Sequence, residues 1–474
     1  MTNNSFDVIV LGGGPAGENA ADVAARYGLA VALVERELVG GECSYWACMP
    51  SKALLRPGDM LDAASRTPGF VGGVIDVDET LERRNALAAN WDDSGQVAWL
   101  ESAGIHLVRG HGRISGERMV EVEGKDGAID RYEASRGVIV ATGTAASMPP
   151  IDGLAEAGVW DSRDVTSAKE VPQRLMVIGG GVVGVEMAQA WKMLGSAEVT
   201  VVELFDRLLA REEPVAGAEL RKSFEEMGIR VFTDARTDKI IRRGSDGPVV
   251  ADVSLDDGSN VSVEADEVLV ATGRRPLTDD IGLERIGLEP GSYIEVDDHL
   301  RAVGIDGNWL YAVGDVNGRS LLTHTGKYQA RVAGAHIAGA ATRAWGDTKA
   351  TPRVVFTNPK VAAVGMTEAE ARAESGLSVR AVSYDIGNVA GAATFGRGYH
   401  GTCKLVVNAD RSVIVGATFI GPMTGELLHA ATIAIVGEVP LDTLWHAIPS
   451  FPILSEVWLR LLEAYRDEYG HEFL

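Results

Sequence analysis

The chain has 474 residues, 46% hydrophobic and 23% charged, with a formal charge of −23. That length exceeds one hydrophobic core, so two to four domains are expected, and the acidic balance argues against non-specific nucleic-acid binding. Three cysteines are too few for a secreted disulfide scaffold, the apolar run Val8–Leu11 is too short for a signal peptide, and no stretch reaches the ~20 apolar residues of a membrane span, so a cytoplasmic protein without membrane or nucleic-acid partners is expected.

Phe6–Leu11 reads as a short, buried parallel strand. It runs into Gly12-Gly13-Gly14-Pro15-Ala16-Gly17, then a helical pattern (Ala20, Ala21, Val23, Ala24), then a strand Ala30–Val34 closed by Glu35. In that order, Gly12, Gly14 and Gly17 let the backbone approach a pyrophosphate. The helix start holds the phosphate charge, and Glu35 accepts from a ribose hydroxyl.

Next comes Gly41-Glu-Cys-Ser-Tyr-Trp-Ala-Cys-Met-Pro-Ser-Lys52, which holds Cys43 and Cys48 with four residues between them. A helical pattern continues through Ala53, Leu54 and Leu55. A thiol at a helix start is favoured as thiolate. Two thiols five positions apart along a helical turn can exchange between dithiol and disulfide. Two buried cysteines or half a metal site are the other readings, and the absence of a further His or Cys at ligand spacing weighs against metal.

Arg136–Thr144 reads as a strand ending in Ala-Thr-Gly-Thr, with Thr142 and Gly143 as cofactor candidates. The first unit then recurs: strand Leu175–Ile178, loop Gly179-Gly180-Gly181-Val182-Val183-Gly184, a helix with Met187, Ala188 and Trp191, strand Val199–Val202 and Glu203. Gly179, Gly181, Gly184 and Glu203 thus mark a second dinucleotide site. An acid there prefers a free 2′-hydroxyl, so NADH is expected over NADPH, with Arg207 read as a solvated surface charge. Glu267–Gly273 repeats the Ala-Thr-Gly ending. Leu310–Gly314 leads to Asp315, which either reaches a ligand hydroxyl or caps a strand end.

From Thr351 the character changes. Arg353–Val364, Gly401–Val407 and Ser412–Phe419 read as strands, and Gly425–Ile435 and Val457–Glu468 as helices. Trp458, Leu461, Leu462, Tyr465 and Tyr469 form one stripe, read as core or subunit packing. Cys403 is read as a core residue. Prolines mark boundaries that give 1–150, 151–275, 276–350 and 351–474.

Taken together, these residues resemble the class I pyridine nucleotide–disulfide oxidoreductases, of the glutathione reductase and dihydrolipoamide dehydrogenase type, over essentially the whole chain. The motifs are the loop Gly12–Gly17 with Glu35, the frame Gly-Gly-x-Cys-x4-Cys-x-Pro-Ser-Lys, the loop Gly179–Gly184 leading into Glu186, the motif ending at Asp315 and Phe356-Thr-Asn-Pro359. The resemblance implies an α/β chain with two Rossmann-like domains, for FAD and NAD, and a C-terminal α+β dimerisation domain. It implies that 1–150 and 276–350 bind FAD, 151–275 binds NAD and 351–474 forms a homodimer interface. Cys48 would be the thiolate against the flavin and Cys43 the exchanging thiol. Lys52 and Glu186 would pair near the flavin and nicotinamide, Asp315 would bind the ribityl chain, and Gly273 would lie at a cofactor. Electrons would pass from NADH to FAD, to the Cys43–Cys48 disulfide and on to a small-molecule acceptor.

The family's C-terminal His-Pro-x-x-x-Glu is here Phe451-Pro452-Ile453-Leu454-Ser455-Glu456. The His, a general acid/base, is a Phe, and the Glu that orients it is retained. His446 is read as a satisfied structural residue rather than a displaced base. Tyr45 and Trp46, with Phe451, are expected to make the thiol pocket apolar and to raise thiol pKa. Mercuric reductases are similar and also lack this His, but they add a C-terminal cysteine pair that the end Gly-His-Glu-Phe-Leu does not have. 2-Ketopropyl coenzyme M oxidoreductase/carboxylase resembles the chain in its Phe, but there the companion of the Phe is a His. The expected function is therefore NADH oxidation through FAD and the dithiol to a quinone, a metal ion or an unusual thiol or disulfide. The alternatives are an ordinary dihydrolipoamide dehydrogenase with a substitute base, coenzyme M carboxylase-like chemistry and a non-enzymatic redox sensor.

Overall fold

The computed structural model describes residues 4–244 and 247–470. The tail from His471, where the cysteine pair was sought, lies outside them. The chain divides into two compact units: Met1–Pro50, Asn85–Ser147 and Arg274–Thr348 form one, and Ser51–Arg84, Met148–Gly273 and Lys349–Leu474 the other.

In the first unit, the apolar runs Val8–Leu11, Val31–Val34 and Val138–Val140 form the buried centre of a sheet whose outer strands are more polar and partly exposed. Its order is His106–Arg109, Val31–Glu35, Ser5–Leu11, Ile129–Val140, Met119–Glu123, His111–Gly116, and Leu310–Ala312 also pairs with Ile129–Val140. Strand Ser5–Leu11 pairs in parallel with Val31–Glu35 and with Ile129–Val140, bringing the C-terminal ends of all three strands to one edge. The strand expected at Arg136–Thr144 starts earlier and stops at Val140, so Ala141 to Gly143 form a loop. That break is what frees Thr142 and Gly143 from the ladder.

The second unit holds two sheets and a hairpin layer. Ile229–Phe232, Glu198–Val202, Arg174–Ile178 and Glu267–Val270 form a parallel sheet, beside the three-stranded antiparallel layer Ala235–Arg242, Val249–Leu255 and Asn260–Ala265. The C-terminal part is a five-stranded antiparallel sheet in the order Pro352–Val355, Lys360–Gly365, Val413–Gly421, Thr402–Asn408, Val379–Asp385. The single strand expected at Arg353–Val364 is two strands paired antiparallel, because Asn358 and Pro359 interrupt the ladder. Helix Val457–Tyr469 buries Leu461, Leu462 and Tyr465, with Trp458 and Tyr469 packed beside them, so its stripe is core. Cys403 is fully buried in the same core. Among the described residues no helix is long and apolar enough to cross a membrane.

Candidate active site

Each glycine-rich loop is wired to its acid in the same way. Glu35 Oε2 accepts from the Gly13 N–H at 2.6 Å and its Oε1 from the Glu37 N–H at 2.6 Å. Glu203 accepts from the Gly180 N–H, and its other oxygen from the Phe205 N–H at 2.8 Å. Both carboxylates are thereby fixed at the strand end with lone pairs to spare, as ribose recognition requires. A Cβ on Gly17 would stand 1.8 Å from the Gly12 carbonyl oxygen, and one on Gly184 1.9 Å from that of Gly179. Only glycine lets each helix press this closely on its own loop.

The first unit fits FAD on further grounds. A Cβ on Gly14 would meet nothing closer than 4.0 Å, which leaves an open cradle at the helix start. The Thr142 hydroxyl is buried without a partner, a donor awaiting an acceptor. Asp315 accepts from the Thr144 hydroxyl at 2.8 Å, and Thr144 in turn accepts from Arg274 Nε at 2.7 Å. Burial pushes the Asp315 carboxyl above its usual range, opposed by Thr144 and then Arg274. Gly143, at φ +72°, stands beside Thr144 with open space where a Cβ would point.

The cysteines do not share one helical turn as expected. Cys43 lies in the short helix Gly41–Tyr45 and Cys48 opens a separate helix, Cys48–Arg66. The Trp46 backbone, at φ −134°, breaks the two apart. Both are thiols. Cys48 Sγ lies 3.4 Å from the Thr323 hydroxyl. The Cys43 thiol is pushed far up, first by its hydrogen bond with Cys48, then by burial and by the Cys48 charge. Cys48 stands at the start of its helix, where the positive end of the helix favours negative charge on sulfur. Tyr45 does not line a thiol pocket. It is buried, its ring edge lies against Gly40 and its hydroxyl donates to the Val39 carbonyl at 2.8 Å, so it props the loop from inside. Among the described residues no group of three or more His, Cys, Asp and Glu could hold a metal.

In the second unit, Lys52 Nζ meets Glu186 Oε2 at 2.7 Å, and Glu186 Oε1 accepts from the Phe356 N–H at 2.9 Å. The Lys52 ammonium also stands 4.6 Å from the Phe356 ring centre. Gly181 has open space where a Cβ would point, at the start of the second dinucleotide helix, and Gly273, at φ +138°, is equally open. Arg207 is half-exposed, in keeping with a surface charge. It donates to Asp206 at 3.0 Å and to the Ala210 carbonyl at 2.9 Å, which ties it back to its own loop.

Phe451 is 75% exposed and Glu456 is 6% exposed. Glu456 Oε1 is bound by Arg460 at 2.7 Å and its Oε2 accepts from the Ala390 N–H at 3.3 Å. The carboxylate that would orient a histidine is thus engaged elsewhere. His446, read as a satisfied structural residue, is exposed after the helix Leu441–Trp445. The sequence reading missed Thr323, Phe356 as a partner of Glu186, and Arg460. The i, i+4 spacing from Glu456 to Arg460 was the one available signal.

Two family models match the chain. One, described as pyridine nucleotide-disulphide oxidoreductase, covers residues 6–338, and one for the dimerisation domain of the same family covers 351–461. The chain is 34% identical to a dihydrolipoyl dehydrogenase of Chlorobaculum tepidum over 95% of each chain. It is 30% identical to a mercuric reductase of Staphylococcus aureus over 96% of this chain and 81% of that protein. The crystal structure of LpdA from Mycobacterium tuberculosis superposes with a TM-score of 0.83 at 28% identity, covering 96% of this chain and 98% of that one. The chain belongs to the pyridine nucleotide-disulphide oxidoreductases, enzymes of mixed α/β fold for which FAD and a pyridine nucleotide are the expected cofactors.

Proposed function

We propose that this enzyme oxidises NADH, reduces its Cys43–Cys48 pair, and passes the electrons to an acceptor other than lipoamide: a quinone, a metal ion or an unusual low-molecular-weight thiol or disulfide. Bound FAD would supply the two-electron relay between a reduced nicotinamide and the sulfur pair. Gly12, Gly14, Gly17, Glu35, Thr142, Gly143 and Asp315 would hold it, with Lys52 near its ring. Gly179, Gly181, Gly184, Glu203 and Gly273 would hold the nicotinamide dinucleotide, and the Lys52–Glu186 pair would position its reactive end. Arg207 is engaged by Asp206 and the Ala210 carbonyl, and Glu203 would repel a 2′-phosphate, which favours NADH over NADPH. Cys48 would keep the charge after reduction, and Cys43 would face the acceptor. A cytoplasmic location fits a dithiol kept reduced by NADH.

The observation that carries this reading is the C-terminal motif. An aromatic ring replaces the base at Phe451, and Glu456 is tied to Arg460. General acid–base help is worth ~10²–10⁴ in rate, so thiol–disulfide exchange with lipoamide would be slow without it. In the homodimer Phe451 would come from the partner's dimerisation domain. The test is NADH consumption measured side by side with lipoamide, small disulfides, quinones and copper or mercury salts. Turnover is expected with a small disulfide, a quinone or a metal salt, and rapid lipoamide turnover overturns the reading. That result would support the second reading, a dihydrolipoyl dehydrogenase with a substitute base, which rests on the 34% identity with an enzyme of that name and on the exposure of His446.

A further inference from the structure

With no base at Phe451, the dithiol needs another means of forming the Cys43 anion. Thr323, whose hydroxyl lies 3.4 Å from Cys48 Sγ, is the first residue of the helix Thr323–Ile337. Lys327 is one turn further along, at i+4, on the same face of that helix. A Cβ on the adjacent Gly326 would stand 3.4 Å from Ala16 Cβ, so this turn abuts the first turn of the helix Pro15–Arg26. Glu18 belongs to that first turn. Lys327 thus sits one turn from the residue that touches Cys48, on a helix whose first turns pack against the turn that carries Glu18, and its charge acts on Cys43 and on Glu18. Glu35 also acts on Glu18, and Glu18 acts on Tyr45 together with Asp93, Asp92 and Arg109.

We propose that Lys327 is the charge partner of the redox dithiol, stabilising the Cys43 anion within its own protomer, and that Glu18 sets how much of that positive charge the sulfur feels. Two-electron reduction breaks the S–S bond, leaves Cys48 as thiolate and puts a proton on Cys43. Attack on an acceptor then requires the Cys43 S–H bond to break, with the proton released to solvent and the electron pair kept on sulfur. A nearby ammonium lowers the cost of that anion. Burial pushes Glu18 up to about 7, opposed by Lys327, so above that pH its carboxylate offsets part of the Lys327 charge and below it the offset disappears.

The inference rests on Cys43 and Cys48 being the redox pair, and its test is built to fail separately from that reading. First, the FAD-loaded wild type is treated with NADH and then iodoacetamide. Two newly alkylated cysteines, identified by mass spectrometry, uphold the reading, and none overturns it. Second, FAD-loaded protein reduced with a phosphine is alkylated across pH 5–10, and the rate at Cys43 is followed. This step needs neither NADH nor an acceptor. Lys327→Met and Lys327→Gln should each slow Cys43 alkylation about tenfold at neutral pH, a shift of roughly one pH unit upward in its profile. Lys327→Arg should stay within about twofold of wild type, because the charge is kept. Glu18→Gln should speed alkylation about twofold at pH 8 and leave it unchanged at pH 5. Flavin absorbance reports whether each variant is folded and loaded. Profiles of Lys327→Met and Lys327→Gln that superpose on wild type overturn the proposal. So does an Arg variant as slow as the Met variant, since the position would then act through packing rather than charge.

Discussion

At Phe451 the missing base is only half of what separates this chain from a disulfide reductase with a histidine at that position. Arg460 holds Glu456 at 2.7 Å, and the Ala390 N–H takes its other oxygen. A histidine placed at 451 would find its orienting carboxylate occupied. Phe451→His alone is therefore expected to raise kcat/KM for lipoamide by less than about tenfold, and Phe451→His with Arg460→Ala by a further tenfold or more, within the ~10²–10⁴ that a positioned base supplies. Equal rates for the single and double variants would show that Arg460 does not compete. Glu18 gives a pH prediction. Burial raises its carboxyl from about 4.5 to about 7, so the folded chain keeps a proton that the unfolded chain has lost in that window. Stability must then fall as pH rises from about 4.5 to about 7, with the full loss present above 7. Glu18→Gln should gain on the order of 1 kcal/mol at pH 8, after allowance for solvent screening, and nothing at pH 4.5, read from thermal midpoints at the two pH values.

The two glycine-rich loops share one construction, and each has a point where a single methyl group breaks it. Gly17→Ala would drive a Cβ into the Gly12 carbonyl, and Gly184→Ala into that of Gly179. Gly17→Ala should purify without flavin absorbance. Gly184→Ala should keep the flavin spectrum and lose NADH reduction of it, with KM for NADH raised at least about tenfold. Loss of flavin in the Gly184 variant would contradict the division of labour between the units. The short helix Gly41–Tyr45 depends on a different support, the buried Tyr45. Tyr45→Phe removes the hydroxyl that satisfies the Val39 carbonyl and should cost about 1 kcal/mol in thermal stability, while the dithiol still forms.

For the whole molecule, the dimerisation-domain match over 351–461 suggests a homodimer. Ile448, Phe451 and Ile453 leave an exposed apolar run in the single chain, 91% exposed at Ile448. A stable homodimer buries such surface. Light scattering should give twice the mass of the 50.2 kDa chain, and Ile448→Asp should shift the population toward monomer. A monomeric wild type would remove the partner's Phe451 from the proposed site.

Patterns local in sequence were enough for the family and pointed to two Gly-rich loops and a dithiol frame, because a strand, a Gly-rich turn, a helix and an acid carry their chemistry at fixed spacings. Length set an expectation of several domains, because one hydrophobic core does not grow to this size. The partners of those residues depended on the fold, since burial and pairing are long-range properties. Glu186 meets the Phe356 N–H across 170 positions, and Thr323 meets Cys48 across 275. The two-helix break between the cysteines, the inward Tyr45 and the strand pair at 352–365 were equally beyond periodicity, because a few residues either side of a kink satisfy both readings. The tie of Arg460 to Glu456 had a local signal in its i, i+4 spacing, but the burial of that carboxylate did not. A lone Arg or Lys on a helix reads as a solvated charge until the fold brings a buried carboxylate or thiol beside it.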